Sequence, residues 1–375
     1  YEMTSSLVGS EMCIRDRVNT MNHRKESFDT EYDAKATLDA ARHSTIHVQA
    51  VHPEDNVGTN LADELTPLNY YTILSDEEPA SVYTNANLRS FYITQPLQIN
   101  MENDSLHMRF YSPVGIKEVT VMAKSPTMDE YVEFVYIDNI PAFADIKTSI
   151  KVLEKGLYRT ESGKVLQFSA EEMNPASLSL KIACNDPYWT KISQIKAKWY
   201  IKFVLNGGNP VTGTPNKNWW GIRPVHCREA VALFLNIGYM CTLEKFQQRV
   251  STFQGTFLDN NRYPVDTSTL ISRLENLSGF DIGLIYSGNG VSGLGGGRTW
   301  GVYQKSFLYH YENSGGCCST IFHELGHCLG YNHNSTMTYG QWASGCADVF
   351  YKNNIKDFPV NSHTILKSRS NPNIY

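Results

Sequence analysis

The chain has 375 residues, 41% of them hydrophobic and 19% charged, with a formal net charge of −5 and a sequence pI near 6.1. A chain of this length corresponds to roughly two to three domains of about 150 residues, enough to bury a substantial core without cysteine cross-links. Its composition excludes collagen-like, coiled-coil and strongly disordered classes; its Lys and Arg do not gather into the basic block of a nucleic-acid binder, and no apolar run reaches the ~18 residues a membrane-spanning helix needs.

Residues 1–17 have neither a helical nor a strand period, and the stretch SSLVGSEMCIRDR within them resembles translated adapter sequence, so they read as a non-native tail and are set aside. Residues 18–90 are polar and turn-rich, with Pro53, Pro67 and Pro79, and read as a linker with local order. From 91 to 206 the texture changes. Period-two segments at Phe91–Ile93, Leu106–Tyr111, Glu118–Met122, Tyr131–Ile137 and Lys164–Phe168 predict a β-rich, sandwich-like domain. The clearest strand is Lys196–Leu205, where Ala197, Trp199, Ile201 and Phe203 share one face and Lys196, Lys198, Tyr200 and Lys202 the other. The Gly/Pro/Thr-rich stretch 207–216 is expected to end this domain, with an earlier boundary, at which the Lys196–Leu205 strand opens the next domain, as the lesser alternative.

The remaining residues, 217–375, read as a second domain of mixed structure. Helices are expected at Arg228–Asn236, Leu243–Phe253, Thr267–Leu277 and Ser319–Gly330, with strands at Asp281–Ser287 and Thr299–Tyr309. The whole is thus predicted as an α+β fold. Cysteine usage is uninformative: no C-x-x-C pair occurs, which argues against a cysteine zinc cluster, and Cys227 with Cys241 is a candidate disulfide.

The chemistry lies in the stretch STIFHELGHCLGYNH, which places His323, Glu324, His327, Gly330 and His333 in H-E-x-x-H-x-x-G-x-x-H order. Two histidines four residues apart project from one face of a helix and can aim at one metal ion. Glu324 sits beside the first ligand, within reach of a metal-activated water. Gly330 supplies the positive-φ position at which a helix ends and turns, so that His333 can return as third ligand. Three neutral imidazoles with one open position make a catalytic rather than a structural zinc site. Chance would produce the five-position pattern roughly three times in 100,000 chains of this composition, so the pattern is specific.

These residues, together with Met337 four positions past His333, resemble the metzincin clan of zinc endopeptidases, and the variant HELGHCLGYNH is similar to the HEIGH-type metallopeptidases of bacteria. The resemblance implies a metzincin-like catalytic domain at 217–375, a twisted mixed sheet with an active-site helix. It also implies a methionine-containing turn at Met337 beneath the metal, and a role for Tyr339 near the zinc as an extra ligand or oxyanion donor. Only Asn334, Ser335 and Thr336 separate His333 from Met337, which is shorter than usual for the clan. A third ligand from a downstream glutamate, the arrangement of the other large zincin group, is closed off because no Glu follows His327.

Upstream, Gly288, Gly290 and Gly293 spell G-x-G-x-x-G, but the dinucleotide fingerprint needs a helix to begin inside it, and here loop and then strand follow. The stretch is better read as a loop leading into an edge strand at 299–307, which the resemblance to metzincins implies runs along the rim of the cleft, where a peptide substrate can add in extended form. His226 and His310 lack partners at ligand spacing, and Trp219, Trp220 and Trp342 read as core or pocket lining. The sequence therefore predicts a Zn²⁺-dependent endopeptidase with Glu324 as general base, acting on peptide or protein substrates, with a secreted or cell-envelope location in a bacterium. The competing readings are a cell-surface glycan- or protein-binding module with a non-catalytic zinc site, and a purely structural zinc site.

Overall fold

Alternating apolar and polar side chains build most strands of this α+β chain, whose computed structural model describes residues 48–49, 71–205, 207, 214–310 and 317–361. In the first half these are β1 (Val48–Gln49), β2 (Tyr71–Thr72), β3 (Ser90–Tyr92), β4 (Leu97–Glu102), β5 (Ser105–Phe110), β6 (Ile116–Lys124), β7 (Val132–Ile140), β8 (Ala144–Ser149), β9 (Lys155–Arg159), β10 (Val165–Ser169) and β11 (Ser179–Cys184), with short helices α1 (Ala80–Tyr83) and α2 (Pro187–Ile192). All of these strands except β3 fall into two four-stranded antiparallel sheets, ordered β1-β7-β6-β11 and β2-β8-β5-β4, and the hairpin β9-β10. β5 shows the cause: Leu106, Met108 and Phe110 are buried, while Ser105, His107 and Arg109 between them are half-exposed, as in a sheet with one face in a core.

The third sheet carries the rest of the strands: β12 (Tyr200–Leu205), β13 (Trp219–Trp220), β14 (Gly279–Ile285), β15 (Gly293–Gly296) and β16 (Thr299–Tyr303). Its order is β15-β16-β14-β12-β3, with β13 paired to the far end of β14. β12, β14 and β16 run parallel; β3, β13 and β15 are antiparallel to their neighbours. The helices of this half are α3 (Pro224–Thr242), α4 (Glu244–Ser251), α5 (Thr267–Glu275), α6 (Gln304–Tyr309), α7 (Cys317–Cys328) and a π-helical stretch, Gln341–Asp348, that runs on into α8 (Val349–Asn354). α5 starts where the Asp266 carboxylate accepts the Ser268 N–H at 2.9 Å, a side-chain cap on an otherwise unpaired donor.

Aromatic rings join α3 to the sheet. Phe234 packs at centroid distances of 6.0 Å from Trp199, 4.8 Å from Phe280 and 5.0 Å from Trp300, and the Trp199 indole N–H donates to Leu274 O at 2.7 Å. Burying a large ring with its one polar atom satisfied secures both the apolar gain and the hydrogen bond. Ala197, Trp199, Ile201 and Phe203 are all buried, as their alternation predicts, although regular pairing begins only at Tyr200. Among the described residues no helix is long and apolar enough to cross a membrane.

Several sequence expectations change. The boundary expected at 207–216 does not separate sheets, because β12 lies before it and pairs with β14 after it; the strand at Lys196–Leu205 belongs with the later half of the chain. Residues 71–90 are not linker. Leu74 and Tyr83 are buried, the Tyr83 hydroxyl donates to Ile222 O at 2.8 Å, and the buried Arg228 of α3 donates to Leu74 O at 2.5 Å and pairs with Asp76 at 3.1 Å. The rest of the expected linker, apart from the two residues of β1, and the tail at 1–17 lie outside the described residues. The edge strand expected at 299–307 is also corrected: β16 ends at Tyr303 and is paired on both sides, by β14 and β15, and Gln304–Tyr309 is helix, so the edge belongs to β15. Cys227 and Cys241 are both free. They lie on one helix, roughly 21 Å apart at ~1.5 Å rise per residue, whereas a disulfide needs Cα atoms within about 7 Å.

Candidate metal centre

α7 forms because Ile321, Phe322 and Leu325 give it one buried face, leaving His323 and His327 on a side that is only partly covered. The π-helical segment docks on it, with the Trp342 indole N–H donating to Phe322 O at 3.2 Å. The helix stops at Gly330, whose φ of 91° is the left-handed conformation that glycine adopts without strain. Its N–H donates to His327 O at 2.9 Å and that of Tyr331 to Gly326 O at 3.1 Å, satisfying carbonyls at the helix end while the chain reverses.

The reversal brings the third imidazole back. Nε2 of His327 lies 3.1 Å from Nε2 of His323 and 3.0 Å from Nε2 of His333, and the three residues' ligand atoms lie within 4.8 Å of one another. The other nitrogens of the first two rings face backbone acceptors. His327 Nδ1 lies 2.7 Å from Tyr331 O, and His323 Nδ1 contacts Thr338 O. A carbonyl cannot donate, so each Nδ1 carries the proton and each Nε2 presents a bare lone pair. Burial, reinforced by the neighbouring His327 imidazole, holds His323 down at about 4, and burial lowers His327 as well, so both rings are neutral near pH 7. Facing lone pairs at ~3 Å repel unless a cation sits among them. Two nitrogens each about 2.05 Å from one tetrahedral ion stand roughly 3.3 Å apart, which the observed spacing approaches. The donor set therefore fits a divalent metal with imidazole preference.

Glu324 is 3% exposed, and its Oε1 lies 3.9 Å from His323 Nε2, beside the ligand set but not in it. Burial pushes its carboxyl up to about 8. Met337 is fully buried, and its carbonyl packs on Gly326, where a Cβ would stand only 2.5 Å away; the turn can lie this close under the helix because residue 326 has no side chain. Tyr339 is 54% exposed, its ring centroid 4.6 Å from that of His323 and 5.3 Å from that of His333. The three histidines, Glu324 and Tyr339 thus come together, and Met337 lies in a turn packed against the ligand-bearing helix at Gly326.

Other predicted positions fall elsewhere. His226 and His310 are buried away from the three ligands; His310 Nδ1 meets the Tyr351 hydroxyl at 2.9 Å, and burial holds His226 at about 3. Trp342 is core, and Trp219 lies over Gly283 and Gly301 of the sheet. No helix begins within the G-x-G-x-x-G stretch, where Gly288 lies in a 3-10 turn and Gly293 opens β15. What sequence reasoning missed is the glycine alternation of β15, which sets Gly293 and Gly295 against Glu324, and the carbonyls of Tyr331 and Thr338 behind the imidazoles. Glycine at every second position of a short stretch is the signal that could have marked close backbone approach. Comparisons with family models, with curated proteins and with solved structures give no match for this chain.

Proposed function

We propose that the chain is a zinc-dependent endopeptidase in which His323, His327 and His333 hold the ion, Glu324 moves the proton and Tyr339 faces the reacting carbonyl. The observation that carries this reading is the convergence of three Nε2 atoms, two of them with their proton committed to Nδ1 by a backbone carbonyl. When bound, zinc supplies Lewis acidity that polarises the scissile carbonyl and makes water a nucleophile near neutral pH.

The chain's own groups do the rest. Glu324 accepts the proton of the attacking water and passes it to the departing amine, a transfer suited to a carboxyl that burial has made more basic. The Tyr339 hydroxyl is available to hydrogen-bond the developing oxyanion. β15 is the outermost strand of its sheet and runs antiparallel to β16, so an extended peptide can add along it through backbone hydrogen bonds. The resemblance of the motif to metzincins, with a mixed sheet beside its helix, supports the same assignment.

The test is peptide-library cleavage by the full chain, read by mass spectrometry, with and without a chelator and with Glu324→Gln. Zinc-dependent cleavage that disappears in the variant is expected. Cleavage that persists without metal, or at parental rate in Glu324→Gln, overturns the assignment.

A further inference from the structure

The three imidazoles are not held in the same way. His323 and His327 are fixed through their rings, each by an Nδ1 contact to a backbone carbonyl, whereas among the described residues the His333 ring meets only other side chains of the site. It is also the one exposed member of the set. Its position must therefore come from the backbone that carries it, residues 330–336.

That backbone is clamped by a segment about seventy residues earlier in the chain. The Asn260 carboxamide reaches both sides of the reversal: its Nδ2 donates to Gly330 O at 3.0 Å and its Oδ1 accepts from Asn332 N–H at 2.7 Å. Beyond His333 the neighbouring loop takes over. Thr336 N–H donates to Leu258 O at 3.1 Å, and Leu258 N–H donates to the Thr336 hydroxyl at 2.7 Å. Asn260 is held independently of the site, because the Asp259 carboxylate accepts the N–H groups of Asn261 at 2.8 Å and Tyr263 at 2.9 Å, closing the turn on itself.

We propose that Asn260 is the positioning residue for the third metal ligand, setting His333 through Gly330 and Asn332 and thereby setting the affinity of the centre for a divalent ion. This rests on the reading that the three histidines share one ion. Outer partners of metal ligands change affinity by roughly 10- to 100-fold when removed. Here the partner acts through the ligand's backbone because the ring has no other anchor.

The experiment measures zinc affinity of the full chain by competition with a chromogenic chelator, alongside the melting temperature of the metal-free protein. Asn260→Ala is expected to raise the zinc dissociation constant about tenfold, with metal-free melting close to parental. Asn261→Ala, next to it in the same turn, is expected to bind as the parent does. Parental affinity in Asn260→Ala, or equal weakening in Asn261→Ala, overturns the proposal. Should Asn260→Ala not fold, Asn260→Asp keeps the acceptor for Asn332 but sets a carboxylate against the Gly330 carbonyl; weakened binding supports the proposal and unchanged binding overturns it. If the parent binds zinc no better than His327→Ala, the shared-ion reading itself fails and takes this proposal with it, an outcome distinct from a parent that binds and an Asn260 variant that binds as well.

Discussion

A Cβ placed on Gly293 would stand 2.2 Å from Oε1 of Glu324: the proposed general base lies directly on the backbone of the edge strand. Gly295 repeats the relation, its absent Cβ falling 2.8 Å from the other carboxylate oxygen and 2.5 Å from Glu324 O. Glycine at these two positions leaves the volume that the carboxylate occupies, and the covering strand is what withdraws the carboxylate from water.

Gly293→Ala is therefore expected to push the Glu324 side chain out of place while leaving the imidazoles alone. Peptidase kcat should fall by about 100-fold, the lower range for a misplaced general base, with zinc stoichiometry unchanged. Steady-state kinetics with metal analysis on the same sample checks it; unchanged kcat would show that the carboxylate tolerates displacement.

Gly295→Ala differs because one of its clashes is with backbone, which cannot rotate away. A loss of roughly 1–3 kcal/mol in stability is expected, the usual cost of overpacking a tight contact. Urea denaturation of the metal-free variant measures it.

The pH dependence of stability arises from the same burial. In the metal-free protein Glu324 titrates at about 8 against 4.5 for an ordinary glutamate, so between these values the unfolded chain has released a proton that the native chain still holds. Stability contributed at this position therefore falls as pH rises through that window and levels off above it. Melting curves from pH 5 to pH 9 should show this decline in the parent and lack it in Glu324→Gln; comparing the two removes the opposite slope that His323, held at about 4, adds on the acid side.

Chelation should silence the proposed peptidase activity without unfolding the chain. α7 is anchored by buried Phe322 and Leu325 and by the Trp342 bond to Phe322 O, none of which involves an imidazole. Far-UV circular dichroism of the chelated protein at 25 °C is expected to match the loaded form, while zinc at a thousandfold excess over its dissociation constant adds about 4 kcal/mol and raises the melting temperature. A chelated protein that unfolds would mark the site as structural instead.

The site is more legible in the sequence than the fold around it because its information is local. His323, Glu324, His327 and His333 sit within eleven consecutive residues, and helical spacing plus one positive-φ glycine is enough to bring them together. The face of β12 is equally plain, since Ala197, Trp199, Ile201 and Phe203 alternate without interruption. Sheet membership is not: β12 lies between β14, about eighty positions later, and β3, about 110 positions earlier, and alternation does not encode either partner. β15 is invisible to such patterning because glycine carries no strand signal, and residues 304–309 read as a continuation of the strand before them because Phe307 and Leu308 extend its apolar character. Asn260 has no motif to mark it, being polar, in a turn and remote in sequence.

The pairing of β3 with β12 bears on how the molecule can be dissected. These neighbouring strands bracket β4–β11 (residues 97–184), while β1 and β2, which precede β3, pair with β7 and β8 inside that stretch, so the chain passes between the antiparallel sheets and the third sheet more than once. A recombinant fragment starting at residue 217 would lack two strands of that sheet and the Arg228 partners at Leu74 and Asp76. A cut that keeps the third sheet and the Arg228 contacts whole retains residues 74–93 and bridges β3 to β12, and it loses β1 and β2, whose partners β7 and β8 go with the excised stretch.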